Sequence, residues 1–347
     1  MKKNFRYSIS CRCYCSMLFF IICLGLNGCG FTSGPSEPTP LPTVVSTVMP
    51  TVPPLKLANP YTIAGRPYSI VIASDNSTWF TEDGPDNVVH LSMGQESPLQ
   101  TVQLNSGTTP EGIAIDRSGN VWVAGSGSGT LIEISPPGAV INTINLRKFS
   151  GFSNAQPRQM LLGPDGNIWF TDDSAMDNCI GKLVAGVPFC YPNWGDDLAI
   201  GPNDSVWFAA DTKVGEITSD NTGQAAIEFP IQGNNAIFIV EGPDGNMWYS
   251  EYDGDAVSAI SPSGKPILSQ PITVPDPGTL GEIISADNSL WFGDSNGVIY
   301  QLNPSTHIRS PKKEVIGAYI FSLAANASGS HIWYLDLNHR IGYISST

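Results

Sequence analysis

The stretch Gly163–Asp173 reads GPDGNIWFTDD, and a near copy, GPDGNMWYSE, covers Gly242–Glu251. A turn-forming run, a tryptophan and a trailing acid written twice ask for a repeat, and anchoring on the tryptophan finds seven copies. They carry Trp79, Trp122, Trp169, Trp207, Trp248, Trp291 and Trp333, and the intervals between them are 43, 47, 38, 41, 43 and 42 residues. A period near forty with strand-like content is that of β-propeller blades. Ahead of each tryptophan lies a β-rich run broken by Gly, Pro, Asp or Asn, as in IAIDRSGNVW, which predicts a tight hairpin of two antiparallel strands, a and b. Further on comes a third run (VVHLS, LIEIS, IGKLV, VGEIT, AVSAIS, GVIYQLN, IGYIS) and in most copies a fourth, such as QTVQL or AAIEFPI.

Strand b is apolar at consecutive positions (IWF, VWF), the pattern of a strand covered on both faces. Sheets packed radially supply that cover, so the expectation is all-β: one seven-bladed propeller of four-stranded antiparallel blades over 56–347. The chain ends on the third strand of the seventh copy. The segment KLANPYTIAG, Lys56–Gly65, precedes the first copy and is expected to supply the missing outer strand, which closes the ring and removes its open edges; service as a linker is the alternative.

Upstream, Lys2, Lys3, Arg6 and Arg12 lead into the apolar run MLFFIICLGL, Met17–Leu26, too short to span a bilayer and typical of a signal peptide. The next residues, LNGC, resemble the signal of bacterial lipoproteins, which implies a signal peptide over 1–28, lipidation of Cys29, and an extracytoplasmic protein held at the membrane, the outer one in a Gram-negative host. An ordinary cleaved signal peptide is the alternative. Residues 29–55 form a tether rich in Pro, Thr and Ser, unable to bury a core and biased towards extended backbone.

Without the four basic residues of the signal segment, thirteen Lys and Arg face thirty-one Asp and Glu. So acidic a chain disfavours nucleic acid and anionic lipid as partners. Five of the seven cysteines lie at or before Cys29, leaving Cys179 and Cys190 in CIGKLVAGVPFC; a hairpin there permits a disulfide, and two separate buried thiols fit equally. Asn76, Asn203 and Asn326, each in an Asn-x-Ser/Thr triplet, read as turn residues.

Regular pairing about the turn sets the residue eleven before each tryptophan opposite the residue three after it, at one mouth of the channel. The predicted ring is Tyr68 with Glu82, Glu111 with Gly125, Arg158 with Asp172, Asp196 with Ala210, Ile237 with Glu251, Leu280 with Asp294, and Ser322 or Phe321 with Asp336. The carboxylates of such a ring repel one another unless a cation or protons neutralise them, so Glu251, Asp294 and Asp336 are candidate ligands for Ca²⁺ or Mg²⁺. Equally, each acid could cap a strand end by accepting backbone N–H groups. Arg158 and Asp172 face each other as an internal salt bridge and, with Asp196, as candidate ligand-binding groups.

GPDGNIWFTD followed by CIGKLV, with Pro-x-x-hydrophobic in RPYSI, TPEGI and QPRQM, resembles the virginiamycin B (streptogramin) lyase family over essentially all of 56–347. The resemblance implies a seven-bladed propeller that opens a cyclic depsipeptide by elimination with Mg²⁺, using histidines on strand a of blades six and seven. Those positions here are Leu280 and Ser322 or Phe321, and neither takes a proton. Tyr68 matches a family tyrosine and Asp336 stands near a family acid. Glu82 or Glu111 beside Tyr68 would be the base if chemistry survives. The expectation is therefore a monomer that binds a small molecule or protein at an acidic channel mouth. The alternatives are a metal-dependent lyase or lactonase on cyclic esters, and a structural cell-surface module.

Overall fold

Each hairpin is built from the turn outward. In the computed structural model, Asp165 Oδ1 accepts the backbone N–H of Asn167 at 3.1 Å and the indole N–H of Trp169 at 3.2 Å. Gly166, at φ +80°, takes the left-handed conformation that closes the turn. Gly163 makes room for the indole, since a Cβ there would lie 2.4 Å from Trp169 Nε1. Asp116 and Asp244 hold Trp122 and Trp248 in the same way, at 3.1 and 3.0 Å. Where the copies lack glycine, Asn76 and Asn203 adopt φ near +60°.

The structure describes residues 60–92, 100–174, 176, 177, 179–218, 226–231, 233, 235–252, 255–274 and 278–346. The signal peptide, Cys29 and the tether lie outside them. Seven four-stranded antiparallel sheets form, each in the order a-b-c-d. Blade one comprises Arg66–Ile72, Thr78–Asp83, Asn87–Leu91 and Gln100–Gln103, and blade three comprises Pro157–Leu162, Ile168–Asp172, Cys179–Val184 and Val187–Tyr191. Strands a of the other blades are Pro110–Ile115, Asp197–Gly201, Ala236–Glu241, Leu280–Ala286 and Ile320–Ala325. In blade seven the outer strand is Tyr61–Thr62, which pairs with Arg340–Ser345 through Tyr61 opposite Ile341 and Thr62 opposite Arg340. The ring is thus closed by the N-terminal segment.

The core consists of seven clusters, one between each pair of consecutive blades. Each repeat tryptophan fills the interface with the next blade and the residue after it fills the one behind. Trp169 packs with Phe208 of blade four, whereas Phe170 packs with Trp122 of blade two. Gly181, opposite Phe170 on strand c, leaves the space that ring occupies: a Cβ there would lie 2.1 Å from it. Cys179 and Cys190 are joined by a disulfide across strands c and d of blade three, with Cα atoms 5.5 Å apart.

Blade three adds Lys182, which pairs opposite Trp169, is buried, and reaches Asp165 Oδ2 at 2.6 Å. Opposite Trp248 stands Ala259 instead. Asp165→Ala removes a turn acceptor, the indole partner and the counter-ion of a buried lysine, for an expected loss of about 3 kcal/mol. Asp244→Ala removes the first two only and should cost about 1 kcal/mol. Urea unfolding midpoints of the two variants check the difference.

Candidate functional site

The channel mouth departs from the regular register. Strand a carries a β-bulge in six of the seven hairpins. Pro67 pairs with Glu82 and Ile70 with Phe80; Pro110 with Gly125 and Ile113 with Val123; Pro157 with Asp172 and Met160 with Phe170. Ala236 pairs with Glu251, Leu280 with Asp294 and Ile320 with Asp336, each with a shift just beyond. The proline of Pro-x-x-hydrophobic explains the first three, because proline has no N–H to give the ladder and is tolerated at strand starts and bulges. The predicted opposition of Tyr68 to Glu82 and of Arg158 to Asp172 is therefore corrected: the extra residue leaves the ladder. Blade four, where Asp197 pairs with Ala209, keeps the expected register.

Bulging separates the predicted ring into two sets. The strand-b acids turn into their own blades and are almost wholly buried. Asp172 Oδ1 accepts Gln156 N at 2.8 Å and Ser174 N at 3.1 Å, so the expected Arg158–Asp172 ion pair does not form. Asp336 accepts Tyr319 N and Asn338 N, both at 2.9 Å, and pairs with Arg340. Asp294 accepts Asn296 N and Val298 N, and Tyr300 Oη donates to its other oxygen. Glu82 accepts Gly65 N at 3.0 Å and borders a separate recess with Tyr61, Thr62 and Asn87. Glu251 accepts from Ser258 Oγ.

Mg²⁺, which the family resemblance implies, finds no fitting donor set in these acids, since each already accepts from a backbone N–H, a hydroxyl or Arg340 within its own blade. Among the described residues no three His, Cys, Asp or Glu side chains converge closely enough to hold a metal ion.

The strand-a set does converge. A cavity of about 340 Å³ is lined by Arg66, Tyr68, Arg158, Gln159, Asp196, Ile237, Phe238, Tyr252, Tyr319, Phe321 and Leu337. Its wall is divided. Blades one, three and four supply the polar side. Arg158 Nε donates to Tyr68 Oη and lies 3.2 Å from Glu111 Oε2, and its Nη1 lies 3.4 Å from Asp173 Oδ2. Ser126 Oγ donates to Glu111 Oε1 at 2.8 Å. Blades five and seven supply the apolar side, where Phe321 stands edge-on to Tyr68 at 5.3 Å and to Phe238 at 5.7 Å, with Tyr319 at 6.3 Å. Among the described residues the mouth is aromatic rather than acidic: Asp196 is the one carboxylate lining it, against Arg66 and Arg158. Phe321 rather than Ser322 is the extra residue of blade seven, and Leu280 is buried in the blade five–six core.

Electrostatics follow from burial. Desolvation, and then the Glu111 charge, push the Tyr68 phenol far above its ordinary range despite Arg158, so it stays protonated. Burial also raises Glu111, opposed by Ser126 and Arg158. Asp196 is pushed up to about 6, burial being the main cause and Arg158 the main opposing one.

Deeper in the channel lie two acids that sequence reading missed. Glu282, in the blade-six bulge, accepts Ser322 Oγ at 2.6 Å and Leu323 N at 3.0 Å from blade seven. Asp197 accepts Ile239 N of blade five at 3.0 Å. Each accepts a strand-a N–H of the next blade just past its bulge, and each is raised chiefly by burial, Glu282 to about 7. Gln159, Phe238, Tyr252 and Tyr319 were missed as well; the signal for the first was the bulge proline, and for the rest a position just beside the predicted ring. None of the four histidines lines the cavity: His90 stacks on Trp79 at 3.9 Å, His307 lies beside Trp248, and His331 beside Tyr343.

A match to the virginiamycin B lyase family spans residues 138–347, more than half of the chain. The chain belongs to the virginiamycin B lyase family. A beta-propeller repeat is matched over residues 99–133. No curated protein matches by sequence. Among solved structures, a catalytically inactive His-to-Ala variant of virginiamycin B lyase from Staphylococcus aureus with quinupristin is 21% identical, with a TM-score of 0.72 over 83% of this chain and 98% of that one. A streptogramin B lyase is 22% identical with a TM-score of 0.71 over 82% and 95%. Hydrazine synthase of Kuenenia stuttgartiensis, at 13% identity and a TM-score of 0.67 over 86% and 99%, shares the architecture. At these identities the likeness is one of fold.

Two outcomes check the site. Glu282 binds its proton more tightly folded than unfolded, so its contribution is full below about pH 4.5 and is lost as pH rises through about 7. Glu282→Gln, which keeps an acceptor for Leu323 N, should remove a stability loss of about 2 kcal/mol between pH 5 and 8, read from urea midpoints. Millimolar Mg²⁺, Ca²⁺ or EDTA should leave the melting temperature unchanged, because the strand-b acids are already engaged.

Proposed function

We propose that this protein binds a compact, partly apolar small molecule in the channel-mouth cavity without opening it, while held outside the cell at a bacterial membrane through a lipid on Cys29. The observation that carries the reading is the two-sided wall: an aromatic half around Phe321 facing a polar half around Tyr68, Arg158 and Asp196. A cavity lined mostly by apolar rings with a few placed polar groups is the usual form of a small-molecule site. Phe321 stands where the family resemblance expects an essential histidine, and its ring adds contact area but cannot take a proton. Tyr68 is too weak an acid to serve as base near neutrality, and Arg158 is committed to Tyr68, Glu111 and Asp173. Binding that outlasts chemistry is what these residues support.

Quinupristin, the compound held by the Staphylococcus aureus relative, is the first ligand to test. Calorimetric titration should give saturable binding, and chromatography of the mixture should return the compound with its ring intact. Phe321→Ala should weaken binding about tenfold or more by removing a central aromatic contact. Accumulation of ring-opened product would favour the lyase reading instead, and an absence of both binding and opening would remove this compound as a ligand.

A further inference from the structure

The cavity also indicates the charge of its ligand. Its two arginines differ in how far they are spent. Arg158 is surrounded by Tyr68, Glu111 and Asp173, and Arg66 is exposed at the blade-one rim, where solvent screens it. Asp196 is placed differently. It lies on blade four at the edge of the cavity, just ahead of strand a, and its backbone N–H is used by Ala209 O at 2.8 Å. Among the described residues no donor lies within hydrogen-bonding reach of its carboxylate. The strand-b acids, by contrast, each have a named donor.

A half-buried carboxylate on a cavity wall that accepts from no described donor can take one from a ligand without giving up a protein contact. Its neighbours in charge are Arg158, which favours the ionised form, and Asp173 and Asp211, which oppose it. Arg158 is already engaged by Tyr68, Glu111 and Asp173, so the Asp196 carboxylate is left to pair with a charge on the ligand. Beyond Asp196 the wall continues with Ile237 and Phe238 of blade five and Phe321 of blade seven. Aromatic walls beside one carboxylate suit an ammonium group twice over, through a charge-assisted hydrogen bond and through attraction to the rings.

We infer that the ligand carries a protonated amine attached to an apolar ring or chain, the amine donating to Asp196 and the apolar part lying against Phe238 and Phe321. This rests on the reading of the cavity as a small-molecule site.

Three probes of one shape separate the two ideas: phenethylammonium, 2-phenylethanol and 3-phenylpropionate, titrated into the full-length protein at pH 7.5 (a pH above the Asp196 value) by ligand-observed NMR. The ammonium should bind about tenfold more tightly than the alcohol, the carboxylate least of all. Asp196→Asn should bring the ammonium down to the level of the alcohol, and continued saturable binding of the alcohol shows that the cavity is intact. Phe321→Ala should weaken the ammonium and the alcohol alike. If alcohol and ammonium bind equally, or Asp196→Asn retains the ammonium preference, the amine inference falls while the cavity reading stands. If no probe binds, or if Phe321→Ala changes none of them, both fall.

Discussion

A radially packed sheet has no interior of its own, so both of its faces must be covered by neighbours, and the repeat tryptophan provides that cover. Seven indoles fill seven inter-blade interfaces, each anchored where the a–b turn supplies an acceptor, as Asp116, Asp165, Ser205 and Asp244 do. This contact sets the angle between neighbouring blades and therefore where each strand a begins. Everything at the channel mouth inherits its position from it. GPDGNIW is thus one mechanical unit: a glycine that clears space, an aspartate that accepts twice, a glycine that turns the chain, and the ring they hold.

The architecture was legible because it is written locally and repeatedly. Hairpin turns, an apolar doublet and a fixed interval are short-range signals, and even ring closure followed from counting an odd strand at each end. The site was legible only by half. Tyr68, Arg158, Asp196, Ile237 and Phe321 were expected at the mouth and line it. The acids three residues after each tryptophan were expected to face them and instead turn inward to hold backbone N–H groups. A bulge adds one residue to strand a without changing the apolar pattern, and its only mark in the sequence is the proline in three of six cases. Glu282 escaped notice as well: spacing singles out Leu280 on that strand, which does pair with Asp294, and the bulge just beyond it carries Glu282.

Bulges also connect architecture with function. An extra residue released from the ladder is free to project into the channel, and this is how Tyr68, Arg158, Ile237 and Phe321 reach one cavity from four blades. Strand-a N–H groups in and just past the bulges also need acceptors. Thr81 and Thr171 serve within blades one and three, and Asp197 and Glu282 serve across blade boundaries. Variation in the projected residues can therefore alter the ligand while leaving the tryptophan interfaces untouched, which is how one family can hold members of differing chemistry.

Closure of the ring by Tyr61 and Thr62 has a consequence for folding. Blade seven joins residues from the two extremes of the propeller, with Tyr61 beside Ile341. As the chain folds, the first six blades can form from neighbouring segments, but the seventh interface stays open until the last strand is in place. Until then the flanks of blades one and six, with Phe80 and Trp291 at their centres, lack a covering sheet. Contacts of such long sequence separation form late, and incompletely folded chains exposing apolar faces are where chaperones find their substrates.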